Sequence, residues 1–109
     1  MIDLTNFVCA EDASHTATVN YHKLRDEAIL ENQNIIANEM LAAITQGRRS
    51  AEITITCEHY LVDKTFINEV FLPFTHKGYH FTRDDEEVLD STYIWRGIII
   101  WGYQEEETI

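Results

Sequence analysis

The chain has 109 residues, 45% of them hydrophobic and 25% charged, and eight basic residues against nineteen acidic ones give a net charge of −11. This length fits a single domain over residues 1–109, and no apolar run is long enough for a membrane-spanning helix. The acidic balance opposes direct binding to nucleic acid and to anionic membranes, because phosphate recognition needs clustered Lys and Arg.

The N-terminal residues 1–18 are interpreted as an arm, whose segment ‘IDLTNFV’ reads either as a short strand or as docked extended chain. The opening ‘MIDLTNFVCAEDAS’ has no basic residues ahead of its apolar ones, so we expect no signal peptide. Cys9 and Cys57 are too few for a disulfide framework. We therefore expect free thiols and a cytoplasmic location.

A long helix is predicted over residues 19–46, and Gly47 is placed to end it in a left-handed conformation. Two apolar stripes exceed what one sheet face requires, so we expect this helix to pack on two sides, with a second helix or another subunit on one of them. At about 1.5 Å per residue the helix would be roughly 40 Å long, which favours self-association. One stripe contains Tyr21, Leu24, Ala28, Ile35 and Ala42, and the other contains Ile29, Ile36, Met40 and Ile44.

The central part of the chain predicts a strand followed by a second helix. Residues 51–57, ‘AEITITC’, alternate between apolar and polar side chains, which is typical of a half-buried strand. Asp63 is a candidate cap for the helix ‘KTFINEVFLPFTHKG’, residues 64–78. Pro73 lacks a backbone donor, so this helix either kinks or restarts there.

The C-terminal part predicts a hairpin with a long acidic connection. A strand over residues 79–83 is followed by the connection ‘DDEEVLDS’, a return strand over residues 92–101 and a polar acidic tail over residues 102–109. On the return strand, one face carries Tyr93, Trp95, Ile99 and Trp101, and the other carries Ile94, Arg96, Ile98 and Ile100. Apolar residues on both faces favour a strand covered on both sides or an oligomer contact.

These elements together predict an α+β fold of two layers. The expected sheet has three strands, the last two of which form the terminal β-hairpin, and both helices pack on one face of it.

The order of elements also resembles a pattern in small uncharacterised bacteriophage proteins. The resemblance covers most of the chain from about residue 20, and the segment ‘HKGYHFTRDD’, the turn ‘KGY’ and the ending ‘IIIW’ carry it. The long loop and Pro73 depart from the simplest version. The resemblance implies a phage-type accessory or structural protein and transfers no site residues.

Metal and cofactor chemistry has little support in the sequence. Cys57, His59, His76 and His80 could together supply a thiolate and three imidazoles to zinc, but Cys57 continues the apolar face of its strand and no CxxC spacing is present. The acids from Asp84 onward lack the glycine and alternating spacing of a calcium loop. No phosphate loop or nucleophile elbow occurs. We therefore expect no metal, no cofactor and no enzymatic activity, and keep a metal-binding module as the third candidate.

The first functional hypothesis is a non-enzymatic interaction protein that presents its acids to a basic surface on a partner protein. Charge of this kind steers association and supplies specificity. The expected partner-binding residues are Asp84, Asp85, Glu86, Glu87, Asp90, Glu105, Glu106 and Glu107.

The alternative hypothesis is a homo-oligomeric structural or assembly protein. Its interface would use one stripe of the long helix and the aromatic face of the last strand, where large aromatics are otherwise core. The expected interface residues are Ile29, Ile36, Met40, Ile44, Trp95 and Trp101.

Overall fold

The computed structural model describes residues 1–102 and confirms an α+β fold in which two helices contact a three-stranded antiparallel sheet. The elements are helix α1 (Ala10–Thr45), strand β1 (Ser50–Glu58), a short 3₁₀ helix (His59–Leu61), helix α2 (Phe66–Thr75), and strands β2 (His80–Leu89) and β3 (Thr92–Ile100). Most of the predicted acidic tail lies outside the described residues.

Strand β3 is the centre of the sheet, with β1 and β2 antiparallel on its two sides. Its side chains alternate between a buried face, which includes Trp95 and Ile99, and a partly covered face, which includes Ile98. Helices α1 and α2 both cover the buried face, as the sequence predicts. The other face of the sheet therefore has no covering layer within residues 1–102.

The core is a layer of aliphatic and aromatic side chains between the helices and the sheet. On the α2 side, Phe71 stacks on Phe81 with ring centroids 4.1 Å apart and lies 5.2 Å from the Trp95 ring. Apolar burial of this kind is the main stabilising term of a small domain. The largest fully buried side chains are Phe66, Phe71, Ile36, Ile53, Ile55, Ile99 and Val70.

Helix α1 begins much earlier than residue 19, the predicted start. It runs from Ala10 with Glu11 and Asp12 in its first turn, where the positive end of the helix dipole favours acids. Residues 1–9 contain no strand, and residues 1–20 are exposed throughout. The described part of the chain contains no helix that is apolar over enough of its length to cross a bilayer.

The exposed start of α1 projects from the body of the protein. The principal extents are 78 × 26 × 22 Å and the radius of gyration is 19.3 Å, whereas a compact domain of this length has a radius of roughly 13 Å. The end of α1 follows the prediction. Gly47 adopts a φ of +78°, and Arg48 donates its backbone N–H to the carbonyl of Ala43 at 2.9 Å, which closes the last turn.

Pro73 lies inside α2 without ending it. A proline at this position cannot donate to the carbonyl of Glu69 four residues earlier. The side-chain amide of Gln33, on α1, donates to that carbonyl at 3.2 Å instead. A contact between the two helices therefore satisfies the acceptor that proline leaves unpaired.

The prediction of a loop over the acidic connection is wrong, because strand β2 continues through these residues to Leu89. A β-bulge between Arg83 and Asp85 leaves Asp84 opposite no residue of β3. The turn itself is only Asp90 and Ser91, with φ values of 52° and 68°, the positive values that a two-residue hairpin turn requires. The acids therefore stand on an edge strand rather than in a loop.

Candidate functional site

The uncovered side of the sheet, called the open face below, has an apolar centre and acidic rims. Its centre is the β3 row Ile94, Arg96, Ile98 and Ile100, in which each isoleucine is only partly covered. Antiparallel pairing places Glu52 of β1 beside Ile98 and Glu87 of β2 beside Ile94. An apolar centre with a polar, solvated rim is the usual anatomy of a protein–protein interface.

Arg96 links the centre of the open face to its β2 rim. Its Nη1 lies 3.0 Å from Asp85 Oδ1, and its Nη2 lies 2.8 Å from Glu87 Oε2. The hydrogen bonds that Arg96 donates, first to Glu87 and then to Asp85, raise the pKa of Arg96 above its ordinary value. The fork explains why a run of acids can form a strand, since a cation from the neighbouring strand lies between two of them.

A cleft of about 780 Å³ opens on the helix side of the same hairpin, between β2 and the residues that precede α2. Within it, the Tyr93 hydroxyl donates to Glu86 Oε1 at 2.6 Å, and Arg83 Nη1 lies 3.0 Å from Glu86 Oε2. Burial, followed by the bond to Glu86, raises the pKa of Tyr93 well above its ordinary value of 10.0. Tyr93 is therefore protonated near neutral pH and donates its hydroxyl to Glu86.

Replacing Tyr93 with Phe is expected to lower the free energy of unfolding by about 1–2 kcal/mol, because a hydrogen bond to a carboxylate is lost. The raised pKa adds a pH dependence: this stabilisation is complete below pH 10 and is lost as the pH rises through the folded-state pKa. Urea unfolding of both proteins at pH 7 and above pH 10 measures the difference. A wild type that loses no stability relative to Tyr93→Phe at high pH would contradict the assignment.

The candidate zinc ligands lie near opposite ends of the sheet. Cys57 pairs with Tyr93 near one end of β3, whereas His80 pairs with Ile100 at the other end. At about 3.3 Å per residue, these positions lie roughly 23 Å apart, so the four residues do not enclose one ion. Burial raises the pKa of the Cys57 thiol to about 11. Among residues 1–102 no group of three or more His, Cys, Asp or Glu could hold a metal ion.

Some of the predicted partner-binding acids lie together, and several of them form ion pairs with arginines of the same chain. Asp84 to Glu87 lie together on β2, and of these Asp85, Glu86 and Glu87 each pair with an arginine. Asp90 lies in the turn. Glu105, Glu106 and Glu107 lie outside the described residues. The sequence pattern does not predict these ion pairs, because it shows neither the register of the hairpin nor the bulge.

The predicted interface residues largely belong to the protein's own core. Ile36 is 0%, Met40 4% and Trp95 2% exposed, so these side chains cannot also contact a second copy. Ile29 and Trp101 are partly buried against the core. Only Ile44, at 42%, remains well exposed. The stripe expected at an interface is in fact the stripe that packs on the sheet and α2.

Comparison of the chain with protein-family models, with curated proteins and with solved structures gives no match.

Proposed function

We propose that the protein is a small, non-enzymatic accessory protein of bacteriophage type, acting in the cytoplasm, that binds a basic surface on a partner protein through its open face. The observation that carries this proposal is the partly exposed isoleucine row of β3, which lies between two acidic rims and has no layer from residues 1–102 over it. Isolated exposed apolar residues are ordinary, whereas here three isoleucines share one face of the central strand and only Arg96 interrupts them. A layer contributed by a partner would bury this row as the helices bury the opposite face.

The acidic rims determine the charge that we expect on the partner's surface. Glu52 and Glu58 flank the row on β1, and Asp84 adds a carboxylate at the bulge of β2. Asp85 and Glu87 share one arginine, so that group of three keeps a net negative charge. A partner with an apolar centre and Lys or Arg at its rim complements this face, and opposite potentials speed the encounter.

The proposal predicts that reversing two rim charges weakens partner binding. The variant Glu52→Lys with Asp84→Lys is expected to lower affinity at least about tenfold, because two attractive contacts become repulsive. The control is Glu27→Lys with Glu31→Lys, which makes the same charge change at exposed positions of α1. Both variants start from the same net charge of −11, so a nonspecific charge effect would weaken both equally.

Affinity capture on wild type, rim variant and control, followed by titration of any protein released by salt, measures this difference. The proposal requires a basic protein that the wild type and the control retain and the rim variant loses. Equal retention by all three proteins would contradict it.

The second candidate, a homo-oligomeric structural or assembly role, is favoured by the projection of α1. A helical segment of about a dozen residues is marginal in water unless an apolar side is covered. Within residues 1–102 nothing packs over the exposed start of α1, so a second copy of the chain is a natural cover. Light scattering at micromolar concentration should then show a species larger than the 12.7 kDa monomer.

A further inference from the structure

Strand β2 has an outer side that no other strand of residues 1–102 occupies. The order of the sheet is β1-β3-β2, so β2 pairs with β3 on one side only. It is 10 residues long, whereas most strands have about five or six. An edge strand presents unpaired backbone N–H and C=O groups that can pair with another chain. This outer side of residues 80–89 is called the free edge below.

The other edge strand, β1, differs because helix α1 contacts its backbone. Asn32 of α1 is 2% exposed and donates its side-chain amide to the carbonyl of Thr56 at 3.2 Å. In the described part of the chain, neither helix makes a comparable hydrogen bond to the backbone of residues 80–89, which pairs with β3 alone. The free edge of β2 is therefore the edge that is open to a further strand.

The second half of β2 also lacks cover from the helices. Helix α2 packs on β2 near its start, where Phe71 stacks on Phe81. Every residue of β2 after Phe81 is exposed, and Val88 is 50% exposed. The cleft of about 780 Å³ lies on the helix side of this half, and Val62 and Ile67 belong to its opposite wall. An added strand would therefore have a cleft beside it.

The side chains of an added strand would face two different environments, because they alternate between the two faces of the sheet. On the helix side they would lie beside Arg83, Glu86 and Val88, which line the cleft. On the side of the open face they would lie beside Asp85 and Glu87. The apolar residues of the cleft favour apolar side chains on the helix side, and the acids favour basic side chains on the other.

The charge of β2 distinguishes a basic strand from a second copy of this chain. The four carboxylates of residues 84–87 form ion pairs with two arginines of the described chain, Arg83 and Arg96, so the segment stays net negative. Two β2 strands paired with each other would set like charges opposite one another, which destabilises a sheet. A strand that carries Lys or Arg would instead be attracted.

We propose that the free edge of β2 binds an extended segment of the basic partner protein, which adds to the sheet as a fourth strand. This inference rests on the proposed function and names the part of the partner that binds. Backbone hydrogen bonds to β2 supply affinity, and the alternation of basic and apolar side chains supplies specificity. The basic side chains lie on the side of the open face, and the apolar ones lie in the cleft.

The first test uses a fluorescent peptide of alternating lysine and valine, matched in length to the 10 residues of β2. The peptide is expected to bind and to slow amide hydrogen exchange in β2 but not in β1, as measured by nuclear magnetic resonance. The control peptide alternates lysine and proline. It keeps the charge, but proline has no N–H to donate, so its affinity should be at least ~10-fold lower.

The second test places the same added charge on each of the two edge strands. Val88→Lys removes an apolar contact at the cleft and sets a cation beside the peptide, so the affinity should fall at least about tenfold. The matched control is Thr56→Lys, an exposed position of β1 on the open face, which should bind as the wild type does. Circular dichroism verifies that both variants are folded. Hydrogen exchange of the wild type needs no variant and decides the question even if Val88→Lys does not fold.

Several results would overturn the free edge as the binding site. Equal affinity for the two peptides would mean that charge alone is recognised. Binding without slower exchange in β2, or equal losses in Val88→Lys and Thr56→Lys, would place the peptide elsewhere. Slow exchange in β2 without peptide, together with a mass above 12.7 kDa, would assign the edge to a second copy.

Failure of this inference can be distinguished from failure of the proposed function. If neither peptide binds, but affinity capture still returns a basic protein that the rim variant loses, only the free edge is overturned. If the peptides do not bind and no basic protein is captured, the proposed function is overturned as well.

Discussion

Replacing Gly97 with Ala is expected to unfold the protein or to lower its free energy of unfolding by about 3 kcal/mol or more. Gly97 lies in the central strand, directly opposite Arg83 of β2 and Ile53 of β1. A methyl group there would overlap the backbone carbonyl oxygen of Thr82 and approach Cη2 of Trp95 at 2.5 Å. The backbone of a central strand cannot move away, because both of its neighbours hold it in register.

Urea unfolding followed by tryptophan fluorescence or circular dichroism measures this loss. Domains of this kind are stable by only about 5–15 kcal/mol, so the midpoint should shift far to lower urea. The control is Gly47→Ala, where the added methyl has no neighbour within 4 Å and only the φ of +78° is unfavourable. That substitution should cost about 1 kcal/mol. Similar losses at the two positions would show that Trp95 does not pack over Gly97 as described.

Replacing Arg25 with Met is expected to lower the free energy of unfolding by about 2–3 kcal/mol. Arg25 is 8% exposed on α1, with its Nη1 2.9 Å from Glu69 Oε1 and its Nη2 3.0 Å from Asp63 Oδ1. The guanidinium also lies 5.7 Å from the centre of the Phe66 ring. One side chain thus ties α1 to α2 and to the segment before it. Methionine keeps much of the packing but removes every polar contact.

The same cluster predicts a pH dependence. The hydrogen bond from Arg25 lowers the pKa of Glu69 below its ordinary value of 4.5. For Asp63, burial acts to raise the pKa, but hydrogen bonds from Arg25 and Thr65 outweigh it and the pKa is lowered from 3.8. A depressed folded-state pKa stabilises the fold above the unfolded value. The wild type should therefore lose stability as the pH falls below about 4.5, and the Arg25 variant should lose less over the same range.

Arg96→Met is the matched control for Arg25. Arg96 also bridges two carboxylates, but its side chain is 43% exposed, and water replaces the interactions of such exposed pairs readily. Its removal should change the urea midpoint much less than removal of Arg25. Equal losses would mean that the burial of Arg25 does not determine its contribution.

Part of the candidate site is predictable from the sequence pattern and part of it is not. Alternation along β3 correctly separates the face of Trp95 and Ile99 from the face of Ile94 and Ile98. The pattern did not reveal that β2 continues past Arg83, because four successive acids repel and resemble a solvated loop. The ion pairs with Arg96 and the bond from Tyr93 to Glu86 offset part of that repulsion, and they exist only once the hairpin register is set.

Helix α1 shows the same limit for the interface residues that were expected from the sequence. Its periodicity predicts a helix with more apolar surface than one sheet face covers. This prediction needs only the order of neighbouring residues. Which side faces the core depends on where the sheet and α2 lie. The structure buries the stripe of Ile36 and Met40, and leaves Leu30 exposed.

By itself, the sequence determined the fold class, the order of elements, the helix end at Gly47 and the two faces of β1 and β3, because these follow from side-chain periodicity and local backbone preferences. Tertiary structure alone decided how Pro73 is accommodated by Gln33 and that the acids stand on a strand. Each of these depends on a contact between residues distant in the chain, whose free energy exceeds the local preference that the sequence expresses.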